Sequence, residues 1–178
     1  MAEHTTQEEL DQAFMAKAYA LALQAEQLDE IPVGAIVVAD NKIIGEGFNQ
    51  SIMQHDPSAH AEMIAIRQAG KVLSNYRMLD CTLYVTLEPC PMCAGLLVHS
   101  RIKRVVFATT DEKTGSAGSV FDLTNNSKLN HQIDVTSGVM AQECSALLSR
   151  FFKRRRQEKK AEKQAKKIAN STINNSDH

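Results

Sequence analysis

The sequence predicts an α/β domain of three layers, α/β/α, around a central mixed sheet of about five strands. Three observations carry that prediction. Short β-branched runs alternate with stretches whose apolar residues recur every three or four positions, which places helices between strands. The first two runs, Val33 to Ala39 and Lys42 to Phe48, are joined across Asp40-Asn41 and read as a hairpin. Finally, 178 residues with 43% apolar side chains suffice for one core and leave no need for a second.

Taken in order, Leu10, Phe14, Ala18, Leu21, Ala22, Ala25 and Leu28 form the apolar stripe of a first helix that ends near Leu28. The hairpin follows. After Asp56-Pro57, Ser58 is the expected N-cap of a helix through Met63, Ile66, Ala69 and Leu73. Cys81 to Leu87 alternates as a strand, and Pro89 and Pro91 lead into a short apolar helix from about Met92 to Val98. Lys103 to Ala108 and His131 to Thr136 are the remaining strands, separated by a polar stretch with Gly115 and Gly118. A long helix starts near Met140. Its apolar stripe, Met140, Cys144, Leu147, Leu148 and Phe151, stops at Phe152. Beyond it Lys153, Arg156, Lys160, Lys163 and Lys167 make a basic ridge, with Glu162 and Lys166 spaced as an ion pair. One domain over residues 1–157 is expected to include the start of this helix. Residues 158–178 form its basic extension and a tail, disordered from 168 onward.

The formal charge of -1 argues, taken whole, against a nucleic-acid partner. The average conceals a partition. Residues 1–149 hold 18 acidic against 10 basic side chains, whereas 150–167 hold 10 basic against Glu158 and Glu162. An acidic body with a basic C-terminal segment makes an anionic partner worth considering. The polar start and the shortness of the longest apolar runs, such as Val33 to Ala39, argue against a membrane partner and point to the cytoplasm. Four cysteines do not make a disulfide scaffold, but Cys90 and Cys93 form a Cys-x-x-Cys pair suited to metal or redox chemistry.

His60-Ala61-Glu62 opens one predicted helix and Pro89-Cys90-Pro91-Met92-Cys93 opens another. Thiolates at a helix start are favoured by the helix dipole and by unpaired N–H groups. His60, Cys90 and Cys93 supply three zinc ligands, whereas structural sites are closed by four, so a water is expected in the fourth position. Two thiolates leave that water less acidic than an all-histidine site would, and Glu62, two residues from His60, is the base within reach. Taken singly, the dithiol could be redox-active or structural, and His-x-Glu at a helix start occurs by chance. A redox pair, however, gives no role to His60 or Glu62. A closed structural site would need Cys81, Cys144 or another histidine, and both cysteines read as small buried side chains. His4, His99, His131 and His178 read as surface or packing residues and His55 as a loop residue.

His60-Ala61-Glu62, 26 residues, then Pro89-Cys90-x-x-Cys93 resembles the zinc nucleobase deaminases, for which this signature is the known type. From about Leu10 to Arg156 the chain is similar, more closely, to the bacterial tRNA-specific adenosine deaminases. The resemblance is carried by Ile31-Pro32-Val33-Gly34-Ala35, Gly47-Phe48-Asn49, Asp56-Pro57-Ser58-Ala59-His60-Ala61-Glu62, Leu83-Tyr84-Val85-Thr86-Leu87-Glu88-Pro89-Cys90 and Lys113-Thr114-Gly115. It implies a cytidine-deaminase-like fold and hydrolytic conversion of the wobble adenosine, position 34 of the tRNA-Arg anticodon, to inosine, so that one tRNA reads several codons. It also implies a homodimer with one Zn2+ per subunit, held by His60, Cys90 and Cys93, with Glu62 moving protons between water, N1 of adenine and the departing ammonia. Asn49 and the backbone of Ala61 would contact the flipped base, Val33 would line its pocket, and Asp111 would touch the neighbouring nucleotide or its ribose. Phe152, Arg155 and Arg156 lie in a segment similar to the family's RNA-contacting helix. Without the resemblance, Asn49 reads as a turn residue and Asp111 as a loop cap. The chain departs from the pattern after Phe107, where Ala108-Thr109-Thr110 stands in place of the frequent glycine and arginine.

Two other functions fit parts of the sequence. An enzyme for free bases or nucleosides would share the zinc motif, but its substrate has no phosphates to meet the basic helix. A non-catalytic zinc protein that binds RNA would use the metal and the ridge but not Glu62.

Overall fold

The computed structural model describes the backbone of residues 5–174 and the side chains through residue 169. Helix α1 (Gln7–Gln27) begins three residues earlier than its first apolar side chain. Thr6 and Glu9 form a capping box, in which Thr6 Oγ1 accepts from Glu9 N–H (3.2 Å) and Glu9 Oε2 accepts from Thr6 N–H (2.7 Å). Strands β1 (Gly34–Ala39) and β2 (Lys42–Phe48) form the expected hairpin, with Asp40 and Asn41 both at positive φ in the turn. A single turn, α2 (Ser51–Gln54), escaped the sequence reading because four residues cannot display a helical period.

Helix α3 (Ala61–Leu73) has His60, not Ser58, as its N-cap residue. Ser58 is diverted into a local turn, since Asp56 Oδ1 accepts from both its N–H (2.7 Å) and its hydroxyl (2.8 Å). Then come β3 (Thr82–Leu87), α4 (Pro91–His99), β4 (Arg104–Thr109) and β5 (Asp134–Ser137). Strand β5 is shorter than the expected 131–136 span. His131 lies before it, with Nε2 2.7 Å from the Ile102 carbonyl oxygen, a packing role as expected. Helix α5 (Ala141–Asn174) runs without a break. Residues 168–174, expected to be disordered, continue it: no glycine or proline interrupts 150–174, and they extend a helix already propagated through the Lys, Glu, Gln and Ala of 153–167. Residues 175–178 of that tail, and His4 and His178, lie outside the described residues.

The sheet order is β2-β1-β3-β4-β5, antiparallel from β2 to β3 and parallel from β3 to β5. The alternation of β1 and β3 sorts the core into two. Val37, Leu83, Val85 and Val105 meet Ala65, Ala69, Leu97 and Val98 of α3 and α4 on one face. Ile36, Val38, Tyr84 and Val106 meet Met15 and Ala18 of α1 and Cys144 of α5 on the other. This is the three-layer arrangement expected. Two glycines set how closely the layers approach. A Cβ on Gly34 would run into the Ala18 carbonyl and stand 2.6 Å from Ala22 N, and one on Gly47 would run into the Ala61 carbonyl and stand 2.8 Å from Ala65 N. At both positions a helix lies directly on the strand backbone.

Because β2, β3 and β4 run in one direction, their carboxyl ends share one edge of the sheet. Asn49, Glu88 and Thr110 follow those ends. In open α/β sheets ligands bind at that edge.

Candidate active site

Helices α3 and α4 both begin at this edge, and their N-cap residues are His60 and Cys90. Pro91 at the first position of α4 presets the helix and gives up an N–H that would have had no partner. One turn in, Cys93 is fully buried. His60 Nδ1 stands 3.7 Å from Cys90 Sγ and 3.6 Å from Cys93 Sγ, and the three ligand atoms lie within 4.8 Å of one another. Zinc bound tetrahedrally by one nitrogen and two sulfurs requires N···S separations of about 3.5 Å, so the donor set and its spacing both fit that ion. Cys81 and Cys144 are buried elsewhere, as expected of small core side chains.

The protons in this cluster are unequally shared. The Cys90 thiol is lowered to about 4, first by the hydrogen bond from Cys93 and then, against burial, by His60. Cys93, the donor in that bond and itself buried, is pushed up. His60 is raised, chiefly by its hydrogen bond to Cys90. Glu62 is only 3% exposed, and burial lifts its carboxyl to about 7. A carboxyl group held near neutrality can both accept and return a proton, which suits a general acid–base residue.

A cleft of about 510 Å³ opens over His60, Glu62 and Cys90. Val33, Asn49, Asp111 and Phe152 also line it, and Phe152 is 41% exposed at the mouth. Cys93 and Ala61 lie behind the wall. Asn49 Oδ1 accepts from the N–H of Ala61 (2.9 Å), so that N–H is engaged within the protein and Asn49 fixes the first turn of α3. Asp111 lines the cleft and is also a loop cap, accepting from Lys113 N–H (2.9 Å) and the Thr114 hydroxyl (2.7 Å). Arg156 borders an adjoining hollow with Thr110, Lys113 and Phe152. Arg155 is not a cleft residue and pairs with Glu158 (3.1 Å). Of the departing segment, Ala108 and Thr109 belong to β4, and Thr110 enters the cleft wall.

Sequence reasoning gave no role to Glu88, which also lines the cleft, nor to Ile31, Leu87 and Leu148. A glutamate between an apolar strand and Pro-Cys was a signal, since a carboxylate there must be buried among donors.

Residues 8–109 match the cytidine and deoxycytidylate deaminase zinc-binding region, and fold and site together are those of a zinc-binding deaminase of that family. The chain is 58% identical over 156 residues to a tRNA-specific adenosine deaminase of Haemophilus influenzae, covering 87% of this chain and 90% of that one. A Bacillus subtilis protein of the same description is 44% identical over 151 residues, covering 85% and 94%. The chain belongs to the tRNA-specific adenosine deaminase family. A solved structure from work on A-to-I editing by tRNA:A34 deaminases at the wobble position of transfer RNA superposes with a TM-score of 0.74 at 36% identity, over 76% of this chain and 99% of that one.

Proposed function

We propose that the chain hydrolyses the wobble adenosine, position 34, of an arginine tRNA to inosine, acting as a homodimer in the cytoplasm with one zinc ion per subunit. The observation that carries the chemistry is the buried Glu62 carboxyl under the cleft, beside the His60, Cys90 and Cys93 ligand atoms. Zinc bound there supplies the Lewis acid that makes water nucleophilic near neutral pH. Glu62 takes a proton from water and delivers it to N1 of adenine as the C6–O bond forms. It then takes the proton of the new C6 hydroxyl and delivers it to N6, so that C6=O forms as the C6–N6 bond breaks and ammonia leaves. Asn49 and Val33 face the base, and Asp111 the neighbouring nucleotide.

The preference for RNA rests on α5 as well as on the relatives. Phe152 stands at the mouth of the cleft, and Arg156, Lys159, Lys160, Lys163 and Lys167 continue along the helix from there. Among the described residues none of these cations has an acidic partner in an ion pair, whereas Arg150 and Arg154 are held by Glu26 (2.9 Å) and Asp29 (2.7 Å). Unpaired cations aligned from a catalytic cleft suit the phosphates of a stem that presents its loop to that cleft.

The test is to incubate the protein with an arginine tRNA, beside free adenosine, cytidine and guanine, and to sequence the wobble position. Only the tRNA should react. Glu62→Ala should retain zinc by elemental analysis and lose activity by a factor of about 100 to 10,000. Full activity in that variant would remove Glu62 from the mechanism, whereas a zinc-loaded wild type that binds the tRNA without deaminating it would be a zinc-bearing RNA binder.

A further inference from the structure

The carboxylate of Glu88 lies two residues before Cys90 and is 2% exposed, yet no cation neutralises it among the described residues. It is instead held by donors from one later stretch of chain. Oε2 accepts from Asp111 N–H (3.0 Å) and from the Ser119 hydroxyl, and Oε1 accepts from Ala117 N–H (2.9 Å) and Ser119 N–H (3.1 Å). Two backbone bonds close the same seam: Glu88 N–H to Thr109 O (2.9 Å) and Ser116 N–H to Pro89 O (2.9 Å). Gly115 packs against the carboxylate so tightly that a Cβ there would strike Oε2 and come within 2.5 Å of both Glu88 Cδ and Asp111 O. Between these anchor points Thr110, Asp111, Lys113 and Thr114 form one wall of the cleft.

We infer that Glu88 is a positioning residue. Its carboxylate fastens the 110–119 loop to the turn that carries Cys90, and so sets where the wall that receives the nucleotide next to the reacting base stands relative to the metal ligands. The loop has no regular structure of its own across 110–119 apart from an isolated bridge between Ala117 and Asp122; turn bonds such as Gly115 N–H to Asp111 O (2.9 Å) shape it internally, and the Glu88 bonds are what tie it to the Cys90 turn. A carboxylate accepts at both oxygens, and an amide in its place would turn an NH2 toward one set of donors. Glu88→Gln therefore releases the loop while leaving the His60, Cys90, Cys93 and Glu62 side chains unaltered. This inference rests on the RNA-deaminase reading for its kinetic test but not for its structural one.

The experiment compares the full-length zinc-loaded protein with Glu88→Gln and Gly115→Ala, the second variant pushing on the same carboxylate from the loop side. Expected are an unchanged zinc content, a KM for an anticodon stem-loop raised about tenfold or more, and a kcat lowered no more than about threefold. Tryptic cleavage after Lys113 should accelerate in both variants and in Ser119→Ala to a smaller degree. Wild-type KM and wild-type cleavage at Lys113 would overturn the inference, as would loss of zinc or of kcat alone, because the carboxylate would then serve the metal turn rather than the loop. Should Glu88→Gln not fold, Gly115→Ala decides by the same readouts. Should the wild-type protein leave the stem-loop untouched, the functional reading fails, and the cleavage rate at Lys113 still decides the role of Glu88.

Discussion

Asp11 illustrates how much one side chain can tie together. From the second turn of α1 it accepts from both terminal nitrogens of Arg104 (2.8 and 2.6 Å), the Tyr84 hydroxyl (2.8 Å) and the Gln7 amide (2.9 Å), and Arg104 reaches on to Thr136 (2.8 Å). One carboxylate thus joins α1 to β3, β4 and β5. Burial alone would raise its pKa, but the hydrogen bonds from Arg104, Gln7 and Tyr84 outweigh burial and hold it below the ordinary value. A depressed folded-state pKa means stability that is complete above the unfolded carboxylate value, about 3.9, and is lost as pH falls through the lower folded value. Asp11→Asn should accordingly cost about 2–3 kcal/mol at neutral pH in urea unfolding, with the gap from wild type narrowing only in strong acid. A gap that stays constant down to pH 2 would show that charge is not what Asp11 contributes. Nothing at the sequence level announced this residue, because its partners are 73 and 93 positions away.

At the scale of elements, the close contact of α3 with β2 governs where His60 and Glu62 stand. Gly47 lies under the first turn of α3, which carries His60 and Glu62 at its start. Gly47→Ala should push that turn outward, cost about 1–3 kcal/mol by overpacking, and lower zinc content and activity together; melting temperature and elemental analysis would check it. The elements legible in the sequence were those with a helical period, such as α1, and those with a β-branched apolar run bounded by a turn, such as β1. Those misjudged obey local rules instead. Asp56 draws Ser58 away from the helix start, β5 is four residues and mostly exposed, and α5 propagates past the end of its apolar stripe because nothing in the chain stops it. The expected Glu162–Lys166 pair is likewise not among the ion pairs of the described residues, where Glu158 takes up Arg154 and Arg155. The candidate site was more legible than the fold, since zinc ligands must be particular residue types at particular spacings. Glu88 was not, because its donors come from 23 to 31 residues downstream.

For the whole molecule, the division of charge has a geometric meaning. The acidic body encloses the cleft, while α5 carries its cations outward from it, and among the described residues no helix is long and apolar enough to cross a membrane. Replacing Lys160, Lys163 and Lys167 together with alanine should leave the fold intact and weaken stem-loop binding. The slope of log affinity against log salt should become shallower by about 2 to 3 if each meets one phosphate. An unaltered slope would make the ridge a solubility device. Phe152 and Lys167 are fifteen residues apart on one uninterrupted helix, a distance of about 22 Å. A rod of fixed length projecting from a catalytic mouth behaves as a ruler. Substrates whose paired stem is trimmed short of its far end should bind no better to the wild-type protein than to the triple variant, the result expected if the helix spans that much duplex behind the loop.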